Sequence, residues 1–125
     1  MDNNELKIGE DVEAPMTEKE WFEVIRRRVS DDLSKDKNFV TLETFKQSGV
    51  IVGSLWACRV MGEVSATEKL PATVNEVRQR LFQELAKNSL FTNMPDWYKV
   101  TIKLGTTQAV LSFFDLVLEN QKAKT

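Results

Sequence analysis

Four residues late in the chain have types and a spacing that could bind a nucleic acid or a nucleotide. In the stretch Trp97 to Leu104 the odd positions are Trp97, Lys99, Thr101 and Lys103, while the even positions are all apolar. On a β-strand the odd side chains would share one face, because successive residues point to opposite sides. An aromatic ring beside two lysines is a surface on which bases stack while ammonium groups contact phosphates. The alternative for this face is packing against a partner, with lysines protecting an edge strand.

Arginines offer two further candidates for anion binding. Arg59 is a lone cation in an apolar stretch, and it either joins the ligand site or pairs with Glu63 or with an acid of the last helix. Arg26, Arg27 and Arg28 are consecutive, and on a helix they diverge by about 100° each. We therefore expect these three to be solvated rather than to form one phosphate clamp.

The residue inventory excludes most catalytic chemistry. The chain has no histidine and one cysteine, Cys58, so it lacks the residues for a usual serine or cysteine triad or for a structural zinc site. Asp31 and Asp32 are adjacent on a predicted helix and diverge, which makes them a poor acid and base pair. We expect Cys58 to be a buried apolar residue. The inventory predicts a protein that is not an enzyme and that has no cofactor.

One acidic stretch resembles the calcium loop of the EF-hand family. Asp32, Ser34, Asp36 and Glu43 take positions 1, 3, 5 and 12 of that loop. The sharp turn at position 6 requires glycine, but this chain has Lys37 there, whose ammonium would repel the cation. We therefore expect no metal site.

Length and charge predict one domain with an acidic arm. The chain has 125 residues, 42% of them hydrophobic, and a formal net charge of −2. Residues 1–15 contain five acidic residues and one lysine, a net charge of −4, so residues 16–125 carry +2. We predict a flexible arm over 1–15 and a single domain over 16–125. The polar start of the chain, without a long apolar run, predicts a cytoplasmic location.

Two helices are marked by capping boxes. Thr17 with Glu20 begins an apolar periodicity that continues to about residue 34, and Thr73 with Glu76 begins another that continues to about residue 88. Both periodicities place one apolar stripe against a core.

The segment between these helices predicts a β-hairpin. Residues 39–45 and 50–61 are rich in β-branched and aromatic residues, and the polar loop 46–49 joins them. Both faces of the long second strand are apolar, and one of them includes Trp56. Since a sheet with one wet face would alternate, we expect a partner to cover the second face.

The same residues permit a second interpretation. The stretch from Thr41 to Trp56 resembles the helix-turn-helix of bacterial repressors, with Gly49 in the turn. It departs from that pattern at Phe45, where a small residue is expected, and at Ser48, where an apolar one is expected. Residues 41–61 are therefore either a hairpin or two helices, and we take the hairpin.

The end of the chain predicts a half-buried strand followed by a helix. The strand covers residues 97–104 and ends at Gly105, and the helix covers residues 107–122. Eight of the ten residues from Ala109 to Leu118 are apolar, more than one core-facing stripe requires. We therefore predict that this helix and the hairpin form an oligomer interface, with the candidate residues Val110, Phe113, Phe114, Val117 and Trp56.

The predicted fold class is α+β, in the order helix, hairpin, helix, strand, helix. If residues 5–9 add a strand, the order becomes ferredoxin-like. The predicted function is that of a non-catalytic binding or regulatory protein that acts through protein–protein interaction and forms homo-oligomers. Small chains of this kind are often accessory proteins of viruses or mobile elements. The alternative function is a nucleic-acid or nucleotide-binding module that uses the strand face of Trp97, Lys99, Thr101 and Lys103, with Arg59.

Overall fold

The computed structural model describes residues 17–67 and 73–124, and within those ranges the chain forms helices and no strand. The helices are α1 (Glu18–Lys35), α2 (Lys37–Val40), α3 (Thr44–Thr67), α4 (Val74–Ala86), α5 (Ser89–Thr92) and α6 (Asp96–Lys124). The prediction of an α+β fold is therefore wrong. The predicted acidic arm over 1–15 and the optional strand over 5–9 lie outside the described residues.

The two helices predicted from capping boxes are present as α1 and α4. In α1 the Glu20 amide donates to the Thr17 hydroxyl at 3.2 Å, and the Thr17 amide donates to the Glu20 carboxylate at 2.8 Å. Thr73 and Glu76 make the same reciprocal pair at the start of α4, at 3.1 and 3.2 Å. Each pair satisfies amide groups that an uncapped helix end would leave without partners.

The predicted hairpin is wrong, and so is the division of this segment into two helices. Its first strand is replaced by the single turn α2 and a short connection, and its second strand lies within the continuous helix α3. The proposed turn residue, Gly49, lies inside α3. Val50, Ile51 and Val52 favour strands because they are β-branched, but the cost of placing such residues in a helix is less than about 1 kcal/mol each, which tertiary contacts of α3 override.

The predicted strand over residues 97–104 is also wrong, because these residues form the first two turns of α6. The helix predicted to follow is the continuation of the same element. Tyr98 and Ile102 are four residues apart and belong to an apolar cluster with Leu85 and Phe91, whereas Val100 and Leu104 are exposed. Two such pairs at i, i+4 spacing produce an apolar residue at every second position, which imitates the alternation of a strand.

Helices α3 and α6 form the most extensive contact in the described structure. They run in the same direction, since Phe45 meets Trp97 near their starts and the Gly53 carbonyl accepts from Thr106 further along. The two backbones approach so closely that a Cβ placed on Gly53 would overlap the Ile102 carbonyl. A Cβ on Gly105 would overlap the backbone of α3 in the same way. The short distance between the two helices therefore requires glycine at positions 53 and 105.

The other helices surround this central pair and share two apolar clusters with it. The larger cluster joins α1, α3, α4 and α6, and the smaller one joins α4, α5 and α6 through Leu85, Phe91 and Ile102. The partly buried Trp56 packs against both.

A polar contact fixes α1 on α6. The buried Ser112 hydroxyl donates to Asp32 at 2.6 Å, and the Arg28 guanidinium donates to both oxygens of Glu119 at 2.7 and 2.8 Å.

Candidate binding groove

A groove of about 360 Å³ lies between α1, α2 and α3. One wall is the edge of α1 that carries Arg26 and Ser30, and the other wall is the exposed ridge of Ile51 and Leu55 on α3. The remaining lining residues form the floor and one end: Val29, Leu33, Ser34, Phe39, Ser54 and Cys58. A volume of this size holds a few apolar side chains of a larger ligand, because drug-sized pockets begin at roughly 300 Å³.

The wall on α3 is apolar where a surface would normally be polar. Ile51 and Leu55 are 43% and 39% exposed, and they stand one helical turn apart. Val52 is also 43% exposed but does not line the groove. The ridge therefore consists of two bulky apolar side chains that line the groove one helical turn apart.

The hydroxyl groups of the groove are largely occupied by the protein itself. Ser34 donates to the Asp31 carbonyl at 2.7 Å, and Ser54 donates to the Ile51 carbonyl at 2.9 Å. Both acceptors belong to the same helix as the donor, so these hydroxyl protons are not available to a ligand. The groove therefore offers few convergent polar groups of the kind that orient a small substrate.

One end of the groove is cationic. Arg26 lines this end together with Cys58, and Arg59 follows Leu55 by one helical turn on α3, just beyond the lining residues. Arg26 bonds Glu23 at 2.9 Å, and Arg59 bonds Glu63 at 3.1 Å. The hydrogen bond from Arg26 holds the pKa of Glu23 below its usual value. A guanidinium has five N–H donors, so each arginine can bind a second carboxylate.

The other end of the groove is apolar. There α2 places Phe39 beside Leu33 and Ser34 of α1. The Asp36 side chain accepts from the Asn38 and Phe39 amides at 2.8 and 3.3 Å and so starts α2. The side-chain amide of Gln47 on α3 donates to the Phe39 carbonyl at 3.0 Å, which connects this end of the groove to α3.

The Cys58 thiol lies on the floor of the groove and is fully buried. Burial raises its pKa to about 12, and the Arg26 charge opposes this only in part. A thiol with such a pKa is neutral and unreactive at physiological pH. The expectation that Cys58 is a buried apolar residue is confirmed.

The structure does not bring the predicted nucleic-acid residues onto one face. On a helix these four residues divide between two sides, Trp97 with Thr101 and Lys99 with Lys103, because alternate positions are separated by about 200°. Thr101 is buried against α3, Lys103 lies over the Phe82 ring at 5.4 Å from its centre, and Lys99 lies 6.0 Å from the centre of the Phe91 ring. Trp97 makes an edge contact with Phe45. Arg59 pairs with Glu63, one of the two outcomes expected for it.

The predicted interface residues are divided between the core and its edge. Val110 and Phe113 are buried in the large cluster of this chain, and Phe113 packs on Trp21 with ring centres 5.9 Å apart. Phe114, Val117 and Trp56 are partly buried against the same cluster. The high apolar content of this segment is therefore accounted for in part by contacts within the chain.

Neither a metal site nor a paired-acid site is formed by the residues that the structure describes. No group of three or more metal-binding side chains occurs in residues 17–67 and 73–124. Asp31 pairs with Lys35 at 3.0 Å, whereas Asp32 contacts Arg28 and Ser112, so the two acids diverge as predicted.

Helix α6 passes a test of length and apolar composition for a membrane span between Asp96 and Glu119, with a mean hydropathy of 1.2. Mostly buried helices of soluble proteins pass the same test, and 44% of this window is buried.

Comparison of the chain with protein families, with curated proteins and with solved structures finds no match.

Sequence reasoning did not find the groove. On the predicted strand Ile51 and Leu55 belong to an apolar face that a partner is expected to cover, but a strand forms no groove with α1. On a helix the same residues form an apolar ridge that continues to Arg59, and this i, i+4, i+8 pattern is the signal that a helical interpretation would have used.

Proposed function

We propose that this protein is a non-catalytic binding protein whose groove between α1, α2 and α3 holds an amphipathic helical segment of a partner protein. The observation that carries the proposal is the apolar ridge of Ile51 and Leu55 beside a cavity of about 360 Å³ that has a cationic end. Helices recognised in this way insert apolar residues from one face into a hydrophobic groove.

The spacing of the groove defines the chemistry of the segment. Ile51, Leu55 and Arg59 follow each other at intervals of one helical turn, about 6 Å. A complementary helix places two apolar residues at successive turns against the ridge and an acidic residue one turn further, near Arg26 and Arg59. The acid provides orientation, since it meets a cation only in one direction of binding.

The absence of reactive groups in the groove supports a binding role over catalysis. Among the described residues, the ionisable side chains that line it are Arg26 and Cys58, and the buried thiol has a pKa of about 12. General acid–base catalysis requires a group with a pKa nearer to the working pH.

The test uses synthetic helical peptides and two matched variants. The parent peptide carries leucines at i and i+4 and an aspartate at i+8; one control peptide has asparagine for the aspartate, and a second has alanine for the leucines. Fluorescence anisotropy measures affinity, and amide chemical shifts locate the peptide. We expect the parent peptide to bind with a dissociation constant of about 10 to 100 µM and to shift the resonances of Ile51, Ser54 and Leu55.

Adjacent residues on α3 supply the variants. Ile51→Glu should weaken binding at least about 10-fold, because it places a charge against the apolar side of the ligand. Val52→Glu has the same exposure outside the groove and should change affinity less than about 2-fold. Arg26→Gln should weaken the aspartate peptide about 3-fold or more and leave the asparagine peptide unchanged.

Equal binding by the Ile51 and Val52 variants would show that the groove is not the site. Tighter binding of decanoate than of any peptide, with shifts of the same resonances, would show that the ligand is a small amphiphile.

A further inference from the structure

The outward face of α6 carries a stripe of large apolar side chains. Its members are Trp97, Val100, Leu104, Leu111 and Leu118, and they are 48%, 56%, 53%, 43% and 53% exposed. Trp97, Leu104, Leu111 and Leu118 recur at intervals of seven residues, and Val100 precedes Leu104 by four. We call these five residues the α6 stripe. Within this stripe Trp97 makes T-shaped ring contacts with Phe45 and Tyr98.

The rest of α6 is already occupied. Thr101 and Gly105 face α3, Ile102 belongs to the cluster with α4 and α5, and Ser112 bonds α1. The exposure of the stripe is therefore not a general property of the helix. It is confined to the one side on which none of the described helices packs.

We propose that the α6 stripe pairs with the α6 stripe of a second copy of this chain. A seven-residue apolar repeat is the pattern with which two helices pack knobs into holes, because it keeps the apolar seam facing a partner that has the same repeat. The chain supplies such a partner in every other copy of itself, and a two-fold contact presents the same patch from both sides. The eleven residues from Leu104 to Phe114 contain no charge, so the middle of the seam contains no repelling side chains.

Charges beside the stripe favour a protein partner over a lipid bilayer. Lys103 and Asp115 lie on α6 next to the stripe, and the Asp115 side chain is 58% exposed. Between two helices such residues remain at the rim of the contact in water. Insertion of the stripe into hydrocarbon would bring these charges with it, which is unfavourable because hydrocarbon solvates charge poorly.

The size of the stripe sets the expected strength of the contact. Five half-exposed side chains present on the order of 400 Å² of apolar surface, within the range of the largest patch on a monomer. Two copies would bury roughly 800 Å² from these residues, with rim residues adding to it, which is in the range of weak and transient interfaces. We therefore expect a reversible dimer with a dissociation constant on the order of 10 to 100 µM.

Analytical ultracentrifugation of the full chain between about 1 µM and about 1 mM spans that range. We expect the weight-average mass to rise from 14.3 kDa toward twice that value. Leu104→Glu combined with Leu111→Glu should remain monomeric throughout. Leu90→Glu is the control, since Leu90 is 76% exposed on α5 and lies away from the stripe. Circular dichroism must show wild-type helicity for each variant, and Leu104→Ser with Leu111→Ser provides a milder replacement.

Three results would overturn the proposal. One is a wild-type chain that stays monomeric at the highest concentration. Another is a dimer that persists in both double variants. The third is flotation of the wild-type chain with phosphatidylcholine vesicles that both double variants abolish, without any dimer in solution, because the stripe would then be a membrane surface. The groove variant Ile51→Glu should leave dimerisation unchanged, so this proposal and the proposed function can fail separately.

Discussion

The outer helices α1 and α4 differ from the central helices α3 and α6 in where they place bulky apolar side chains. On α1 and α4 none of the described large apolar residues is highly exposed, and their stripes belong to the core. The central helices instead meet through glycine and other small residues, and several of their bulky residues point away from the core.

This difference shows that a helix at the centre of a fold can still leave its large apolar side chains exposed to solvent. Two helices that approach through Gly53 and Gly105 bring their backbones together and leave large side chains for other contacts. The groove ridge on α3 and the α6 stripe are both products of this arrangement. Each of the following changes tests one part of the contrast, beginning with the largest expected effect.

Gly53→Ala should disrupt the centre most strongly. Alanine is a better helix former than glycine by about 1 kcal/mol, yet its Cβ would overlap the backbone of Ile102, which cannot rotate away. We expect a net loss of about 3 kcal/mol in the free energy of unfolding, measured by urea denaturation.

Gly49→Ala is the comparison for this change, because its Cβ would meet the side chain of Thr101 and not the backbone of α6. The Thr101 hydroxyl can rotate away, but its Cβ would lie 2.7 Å from the new methyl group, so a small shift is still needed and the loss should be about 2 kcal/mol, below that at Gly53. Equal losses at the two sites would mean that the backbones are not in contact at Gly53.

The reactivity of Cys58 tests whether the floor of the groove is inaccessible to solvent while the wall on α3 is exposed. Because the pKa of its thiol is about 12, labelling with iodoacetamide at pH 8 should be at least about 100-fold slower in the folded than in the unfolded chain. Since the folded pKa lies above the unfolded one, the stability from the neutral thiol is complete below about pH 9 and declines as the pH rises toward 12. Cys58→Ala should remove that decline. Labelling at similar rates in both states would contradict the burial.

Asp32→Ala tests the polar connection between an outer and a central helix. It leaves the buried Ser112 hydroxyl without its acceptor and removes one of the partners of Arg28. We expect a loss of about 1.5 kcal/mol in thermal or urea unfolding. Asp31→Ala, at the neighbouring position with an exposed partner in Lys35, should cost less than about 0.5 kcal/mol. A larger loss for Asp31→Ala than for Asp32→Ala would show that Asp32 does not connect α1 to α6.

Leu104→Gln should have the smallest effect. At concentrations where the chain is monomeric, removing this half-exposed leucine should change the free energy of unfolding by less than about 0.5 kcal/mol. Val110→Ala, on the buried side of the same helix, should cost about 2 kcal/mol. A large loss at Leu104 would mean that the α6 stripe contributes to the folded monomer.

The same contrast explains which parts of the fold could be predicted from the sequence. The outer helices follow the rules of an amphipathic helix, so the capping pairs Thr17 with Glu20 and Thr73 with Glu76 locate them correctly. The central helices have no such asymmetry. Their apolar residues occur on all sides, and a run such as Val50 to Val52 then satisfies the criteria for a strand.

The candidate site could be predicted only in part. The burial of Cys58 is confirmed, and Arg59 pairs with Glu63, which is one of the alternatives left open for it. Predictions that assumed the two-residue period of a strand were wrong. Trp97, Lys99 and Lys103 share one face only on a strand, and the groove beside Ile51 and Leu55 arises only when α3 is a helix that packs against α1.

The close contact between α3 and α6 has a consequence for how this protein would engage its partners. Backbones joined at Gly53 and Gly105 leave little room for sliding, so the groove ridge and the α6 stripe are held in a fixed relation. Two copies joined through α6 would present two grooves at a constant spacing. A partner with two helical segments of matching separation would then gain avidity from the second binding event, whereas a partner with one segment would not.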